Sequence, residues 1–248
     1  MNSLENLSFD QERALIRVDF NVPLDDNGNV TDATRIAAAL PTIKHILAAG
    51  GSCVLMSHLG RPKGNDPKLS LSQIVSTLEQ HLGQAVHFCD EVVGEKAEAQ
   101  ALALQPGEVL LLENLRFHEE ETKGDEAFSA ALAKLGTVYV NDAFGTAHRA
   151  HASTTIVAQF FSRKKCFGHL LAGEIEAVDK VMTSGEKPVL AILGGAKVSS
   201  KITIIENILS KVDHLIIGGG MAFTFIKAQG GAIGKSICED GKMPLALS

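Results

Sequence analysis

The strongest constraint on the fold is a repeated break. Short apolar runs stop abruptly at polar turns marked by glycine or proline, and helical stretches lie between them. Val54-Leu55-Met56 is the sharpest case, giving way to Ser57-His58-Leu59-Gly60-Arg61-Pro62-Lys63-Gly64. An apolar run without alternation reads as a strand buried on both faces, the habit of parallel sheets. Gly60 and Pro62 put His58 and Arg61 on the turn at that strand's carboxyl end. Open α/β sheets bind ligands at this edge. There the two side chains offer imidazole and guanidinium donors to an anion.

The scheme recurs along the chain. A strand over 14–18 runs into Asp19-Phe20-Asn21-Val22-Pro23, and 25–29 form a turn. A helix capped by Thr31 or Asp32 follows to Gly50, with Pro41 as a kink or second start. Arg35 sits in its first turn, against the helix dipole, which suggests that it faces a bound anion. Residues 69–82 read as one helix, 86–89 as a strand, 94–104 as a helix. A strand over 109–112 leads to Glu113-Asn114-Leu115-Arg116-Phe117, and Glu119-Glu120-Glu121 reads as a solvated surface without a role. A helix over 126–135 and a strand over 138–140 precede Asn141-Asp142-Ala143-Phe144-Gly145. This alternation implies an α/β fold: a doubly wound, Rossmann-like parallel sheet with helices on both faces. Arg35 apart, the polar residues of interest gather where strands end: Asp19, Asn21, His58, Arg61, Arg116 and Asp142.

Residues 146–152 show no periodic burial but carry His148, Arg149 and His151. No third ligand accompanies the two histidines, so a metal site is not expected, and Arg149 reads as a further anion contact. A long helix over 167–183, ending near Gly185, is a candidate link between domains. A second α/β unit follows: a strand over 189–193, Gly194-Gly195-Ala196-Lys197-Val198-Ser199-Ser200-Lys201, a helix over 202–209, a strand over 214–217, then Gly218-Gly219-Gly220. Glycines between strand and helix let backbone N–H groups approach phosphates. Lys197 and Lys201, four apart, share a helical face if that helix starts early. Gly231-Ala232-Ile233-Gly234-Lys235-Ser236 imitates a P-loop, but Gln229 stands where its first glycine belongs.

Composition narrows the function. A net charge of -6 over 248 residues gives no global basic field, so a nucleic-acid partner is not expected. No apolar run of about 18 residues suggests a membrane span, and the first residues lack a signal-peptide pattern. Cys53, Cys89, Cys166 and Cys238 are widely spaced, as in a reduced, cytoplasmic protein.

Six segments, taken together, carry a family resemblance. They are Arg17-Val-Asp-Phe-Asn-Val-Pro23, Ser57-His-Leu-Gly-Arg-Pro62, Glu113-Asn-Leu-Arg-Phe117, Asn141-Asp-Ala-Phe-Gly-Thr-Ala-His-Arg-Ala-His151, Gly194-Gly-Ala-Lys-Val-Ser-Ser-Lys201 and Gly218-Gly-Gly-Met-Ala-Phe-Thr-Phe225. In this order they resemble the signatures of the phosphoglycerate kinase family. The resemblance implies reversible phosphoryl transfer between 1,3-bisphosphoglycerate and ADP, giving 3-phosphoglycerate and ATP in glycolysis. It implies a monomeric enzyme whose two α/β lobes close around a hinge. On this chain it implies a phosphoglycerate-binding lobe over 1–168, an interdomain helix over 169–184 and a partial nucleotide-binding lobe over 185–248. Position by position, Asp19, Phe20, Asn21, Arg35, His58, Leu59, Gly60, Arg61, Arg116 and Arg149 match substrate-binding residues. Gly195, Lys197, Lys201 and Gly219 match nucleotide-binding residues, and Arg35 and Lys201 match charges that act on the transferring group. The family holds Mg2+ with ATP or ADP through a Gly-Gly-Gly-Asp segment not found before Ser248, so no metal ligand is expected here and the second lobe reads as truncated. Two other classes remain: a chain that binds 3-phosphoglycerate without turnover, and a nicotinamide-dependent oxidoreductase, which the lack of a Gly-x-Gly-x-x-Gly fingerprint disfavours.

Overall fold

The computed structural model describes residues 3–184 and 186–247, with a first compact unit ending at Glu174 and a second beginning at Ile175. In the first unit, β1 (Arg13–Arg17), β2 (Ser52–Met56), β3 (His87–Cys89), β4 (Val109–Leu112), β5 (Val138–Asn141) and β6 (Lys165–Phe167) form a parallel sheet ordered β3-β4-β2-β1-β5-β6. Successive side chains leave a strand on opposite faces. Ala14 and Ile16 of β1 pack with Ile36, Ile43 and Ile46 of α1 (Thr34–Ala48) and Leu78 of α2 (Val75–Leu82). Leu15 packs the other way, with Ala97 and Ala101 of α3 (Glu95–Ala103) and, beyond α4 (Glu119–Lys123), Phe128 and Leu132 of α5 (Glu126–Ala133). Both faces are thus buried, which is why these strands read as unbroken apolar runs. β1 lies between β2 and β5, where the winding reverses, so the turns after β1, β2, β4 and β5 border one crevice.

Local side-chain bonds move several boundaries. The Asp32 carboxylate accepts the Thr34 N–H at 2.8 Å, so α1 starts at Thr34, and Pro41 lies inside it. The helix expected over 69–82 is broken. Asp66 accepts from Lys68 N–H and Ser70 Oγ from Ser72 N–H, holding two 3-10 turns, Pro67–Leu69 and Leu71–Ile74, ahead of α2. Strand β6 was not expected, because Lys164-Lys165-Cys166-Phe167 has no apolar run. Helix α6 (His169–Ser184) therefore begins after Phe167; Gly185, expected to stop it, lies outside the described residues. The division between the units falls within α6.

In the second unit β7 (Leu190–Gly194) pairs in parallel with β8 (His214–Gly218). Helices α7 (Ile202–Leu209) and α8 (Ala222–Ala228) pack around buried Val198, Ile205 and Met221, and a short helix α9 (Met243–Leu247) follows. Leu190, Ile192 and Ile216, alternating with the core-facing positions, are exposed. The P-loop look-alike at 231–236 follows α8 rather than a strand.

Gly168 gives a test of packing behind the crevice. A Cβ there would stand 2.3 Å from Oδ1 and Cγ of Asp142, whose Oδ1 accepts the Leu171 N–H at 3.1 Å. Gly173, within α6, would meet nothing within 4 Å. Gly168→Ala is expected to cost about 1–3 kcal/mol of stability, and Gly173→Ala to add about 0.5–1 kcal/mol. Thermal unfolding measures both, and shifts of the same sign would contradict this packing.

Candidate functional site

Four turns and one helix start converge over the carboxyl edge of the sheet. Asp19 and Asn21 follow β1; His58, Gly60 and Arg61 follow β2; Arg116 follows β4; Gly145, Thr146 and Arg149 follow β5. With Arg35 from the first turn of α1 they line a pocket of about 280 Å³. Buried amides and hydroxyls fix the turns. Asn114 Oδ1 accepts from Leu59 N–H at 3.2 Å and Arg116 N–H at 3.0 Å, and its amide donates to the carbonyls of Leu59 and Leu69, both at 2.8 Å. Asn21 Oδ1 accepts the Gly60 N–H at 2.8 Å, and Arg116 Nη1 donates to the Gly60 carbonyl at 2.7 Å. Gly60 has φ +63°, and a Cβ there would press on Leu69 at 2.8 Å.

Arg35 pairs with Asp19, so its unfavourable place at the helix start is balanced by a carboxylate that shares the pocket. Beside the pocket lies a larger cleft of about 830 Å³, lined by Lys63 and His118 and sharing Arg61, Arg116 and Arg149. Leu59 is buried and lines a third cavity, of about 520 Å³, together with Asn21 and Gly60. Phe20 is fully buried in the core; its N–H donates to Ser57 Oγ at 2.8 Å, and its ring has no access to the pocket.

Residues that sequence reasoning left without a site role lie behind His58, buried beside the pocket. Arg17, 1% exposed, donates from Nε to Ser153 Oγ at 2.9 Å and from Nη1 to the Val18 carbonyl. Its Nη2 stands 3.1 Å from Nδ1 of His58. The expectation that 119–121 is a solvated surface fails at Glu121, also 1% exposed, while Glu119 stays outside, paired with Lys123. Glu121 accepts from Ser153 N–H at 3.0 Å and Ser153 Oγ at 2.7 Å, and its Oε1 is 3.7 Å from Nδ1 of His151. Ser153 belongs to a π-helical turn, Ala152–Ile156, which follows directly on the stretch 146–152 expected to show no periodic burial. The available signal was Arg17 itself: a cation in a strand buried on both faces requires a buried acid elsewhere in the chain. Burial, reinforced by Arg17, Arg116, Arg35 and His151, pushes the pKa of His58 down to about 2. Burial also lowers that of His151, with Glu121 opposing. Among the described residues no group of three His, Cys, Asp or Glu is placed to hold a metal ion.

In the second unit a Cβ on Gly219, φ +67°, would stand 2.9 Å from N and O of Gly195, so two glycine turns run in contact. Lys201 lies close by, half-buried, and Lys197 is exposed. Helix α7 starts at Ile202, after a 3-10 turn over Val198–Ser200, so the two lysines do not share a helical face. Glu239, not singled out from the sequence, accepts from Ser199 N–H at 2.9 Å and Oγ at 2.6 Å.

Fold and pocket together define a doubly wound α/β protein with a cationic pocket at the carboxyl edge of its sheet. The chain belongs to the phosphoglycerate kinase family, whose sequence profile matches residues 4–248. A phosphoglycerate kinase of Moorella thermoacetica is 56% identical over 245 residues, covering 98% of this chain and 62% of the relative. One of Porphyromonas gingivalis is 50% identical over 268 residues, covering 98% and 64%. The solved phosphoglycerate kinase of Coxiella burnetii aligns with a TM-score of 0.84 at 38% identity, covering 99% of this chain and 61% of that one. The chain thus spans less than two thirds of the length of these relatives.

The burial of His58 has a consequence for stability. Its folded pKa lies below the ordinary 6.5, so its contribution is complete above that pH and is lost as pH falls toward 2. In this window the unfolded chain takes up a proton at residue 58 that the folded chain refuses, at about 1.4 kcal/mol per pH unit. Denaturant unfolding at pH 7 and pH 5 should show a shallower pH slope for His58→Asn than for the wild type. Equal slopes would mean that the folded ring takes up its proton as readily as the unfolded one.

Proposed function

We propose that the first unit binds 3-phosphoglycerate, or the glycerate end of 1,3-bisphosphoglycerate, and that the second unit contributes to binding ATP or ADP. The reaction is reversible phosphoryl transfer between 1,3-bisphosphoglycerate and ADP, a step of cytoplasmic glycolysis. One observation carries the substrate reading. Arg35, Arg61, Arg116 and Arg149 line the pocket against one carboxylate, Asp19, leaving three positive charges in excess. A carboxylate and a phosphate on one small molecule bring about -2.5 to -3, and guanidinium forks suit both groups.

The same reading asks for no covalent nucleophile. Phosphoryl transfer depends on positioning and charge rather than on a covalent nucleophile. Burial pushes the Cys166 thiol up to about 12 and raises Cys53 as well, so neither is a ready thiolate. Arg35 and Lys201 are the charges proposed to act on the transferring group, with Gly195, Gly219 and Lys197 toward the nucleotide phosphates. Magnesium accompanies the nucleotide in this reading; the described donor set offers no cluster for it, and no step here is routed through it. No described helix is long and apolar enough to cross a membrane.

Calorimetry with 3-phosphoglycerate tests the pocket. Arg61→Ala and Arg149→Ala should each weaken binding by about tenfold or more, since a charge-assisted contact is worth about 1.5–3 kcal/mol. Added salt should weaken the wild type. Unchanged affinity in both variants removes the pocket from the substrate site. In a turnover assay Lys201→Ala should lower kcat by about tenfold or more while 3-phosphoglycerate affinity holds, the sign of a transition-state contact. A rise in the nucleotide KM alone would make Lys201 a ground-state contact.

A further inference from the structure

We propose that Arg17, anchored through Ser153 to Glu121, is a positioning residue that locks His58 in its Nε2–H tautomer. It thereby turns a histidine of a cationic pocket into a neutral, directional hydrogen-bond donor. The inference deepens the proposed phosphoglycerate site and rests on that reading for the identity of the ligand.

The chemistry of the contact fixes the proton. A guanidinium has only donors, so the ring atom 3.1 Å from Arg17 Nη2, His58 Nδ1, must present its lone pair. The single ring proton of a neutral imidazole then sits on Nε2. Nε2 has no hydrogen-bond partner among the described residues and is not sealed off, and His58 lines the pocket. Protonation of Nδ1 would bring an N–H against an N–H and two positive charges into contact. Arg116, Arg35 and His151 face the ring as well and oppose a second proton in the same sense, and burial depresses the ring's pKa further.

The lock is built from behind. A buried guanidinium must be neutralised and hydrogen-bonded, and besides His58 Nδ1 the direct acceptors of Arg17 are a hydroxyl and a carbonyl, all uncharged. The carboxylate stands one group further back. Ser153 Oγ accepts from Arg17 Nε at 2.9 Å and donates to Glu121 Oε1 at 2.7 Å, while Ser153 N–H donates to Oε2 at 3.0 Å. Each bond leaves one role for the hydroxyl, so the relay has a single polarity: arginine to serine to glutamate. The π-helical turn presents Ser153 to both partners, and such turns recur at functional sites. Tyr139 steadies that turn by donating to the Ser153 carbonyl at 2.8 Å. Glu121 draws the guanidinium into place by charge, the serine sets its rotation, and the guanidinium orients the imidazole.

Long-range proton–nitrogen NMR of the 248-residue chain labelled with 15N-histidine reads the tautomer directly, with no ligand present. The signal is assigned by its loss in His58→Asn. The expected result is a proton on Nε2 and a bare Nδ1, unchanged from pH 5 to pH 8. A protonated Nδ1, or a ring that titrates in this range, overturns the proposal. Arg17→Met should release the ring to a tautomer mixture that titrates. Should that variant fail to fold, Ser153→Ala cuts the relay with almost no change of volume and is expected to give the same mixture; a retained pure Nε2–H state in the folded variant overturns the role of the relay. Calorimetry with 3-phosphoglycerate separates the ligand question. In the released variant affinity should fall by about tenfold and acquire a pH dependence near 6–7 steeper than that of the wild type, in which only the ligand's own phosphate titrates there. Wild-type protein that shows the locked ring but does not bind 3-phosphoglycerate refutes the ligand and upholds the lock.

Discussion

A full positive charge set in a sheet buried on both faces is the constraint on which the first unit depends. Arg17 ends β1 at 1% exposure, where an unpaired cation would be prohibitively costly. Its partners come from elsewhere in the chain: His58 from the turn after β2, Glu121 from α4 and Ser153 from the π-helical turn after β5. These flank the segments that deliver His58, Arg61, Arg116 and Arg149 to the pocket. The charge that is expensive to bury is therefore also what holds the ligand-facing turns in register. Removing one partner leaves the others buried and unsatisfied, so the group stands or falls together.

Above this charge the pocket is shaped by an amide and a carboxylate. The Asn114 side chain joins the turn after β2 to the turn after β4, and Glu113 reaches back to accept from Ser70 Oγ at 2.6 Å and Leu71 N–H at 2.8 Å. Glu113 and Glu121 thus hold backbone and hydroxyl donors, while Arg61, Arg116 and Arg149 are left for the cavity. A chain of net charge -6 can in this way carry a pocket with three positive charges in excess, because its carboxylates are elsewhere or already engaged. Net charge excludes a broad basic surface; it says nothing about how charges are sorted around one crevice.

What the sequence made legible follows from the same physics. Strands buried on both faces lose alternation, so β1, β2, β4 and β5 announce themselves as apolar runs, and the breaks after them mark the ligand edge. Arg35 was legible because it violates the dipole rule at its helix start, and the structure places Asp19 against it. Glu121 was not, since one buried acid in a run of three has no periodic mark, and only the fold shows which carboxylate turns inward. β6 was missed because Arg163-Lys164-Lys165 runs straight into Cys166-Phe167 and leaves no apolar run, whereas β3, an edge strand of the same length, follows Val86 and was read. Lys197 and Lys201 illustrate a different failure. Spacing decides a shared face only inside a regular helix, and Lys201 lies before the helix begins.

Under the proposed function, the two units use different means to present positive potential. In the first, side chains do it: guanidinium forks on turns whose backbone is tied down by Asn21, Ser57 and Asn114. In the second, the backbone itself comes close. Gly219 runs against Gly195, and Met221 N–H donates to the Gly195 carbonyl at 2.8 Å, so any side chain at Gly219 would part the two turns. Such a thin, donor-bearing edge at the end of two parallel strands suits oxygens that must be approached at hydrogen-bond distance from several sides, as in a chain of phosphates. A compact ligand with a carboxylate at one end and a phosphate at the other is better served by a ring of long, planar, always-charged arms. The sequence follows this contrast: Gly195 follows β7 and Gly219 and Gly220 follow β8, whereas His58 and Arg61 follow β2, Arg116 follows β4 and Arg149 follows β5.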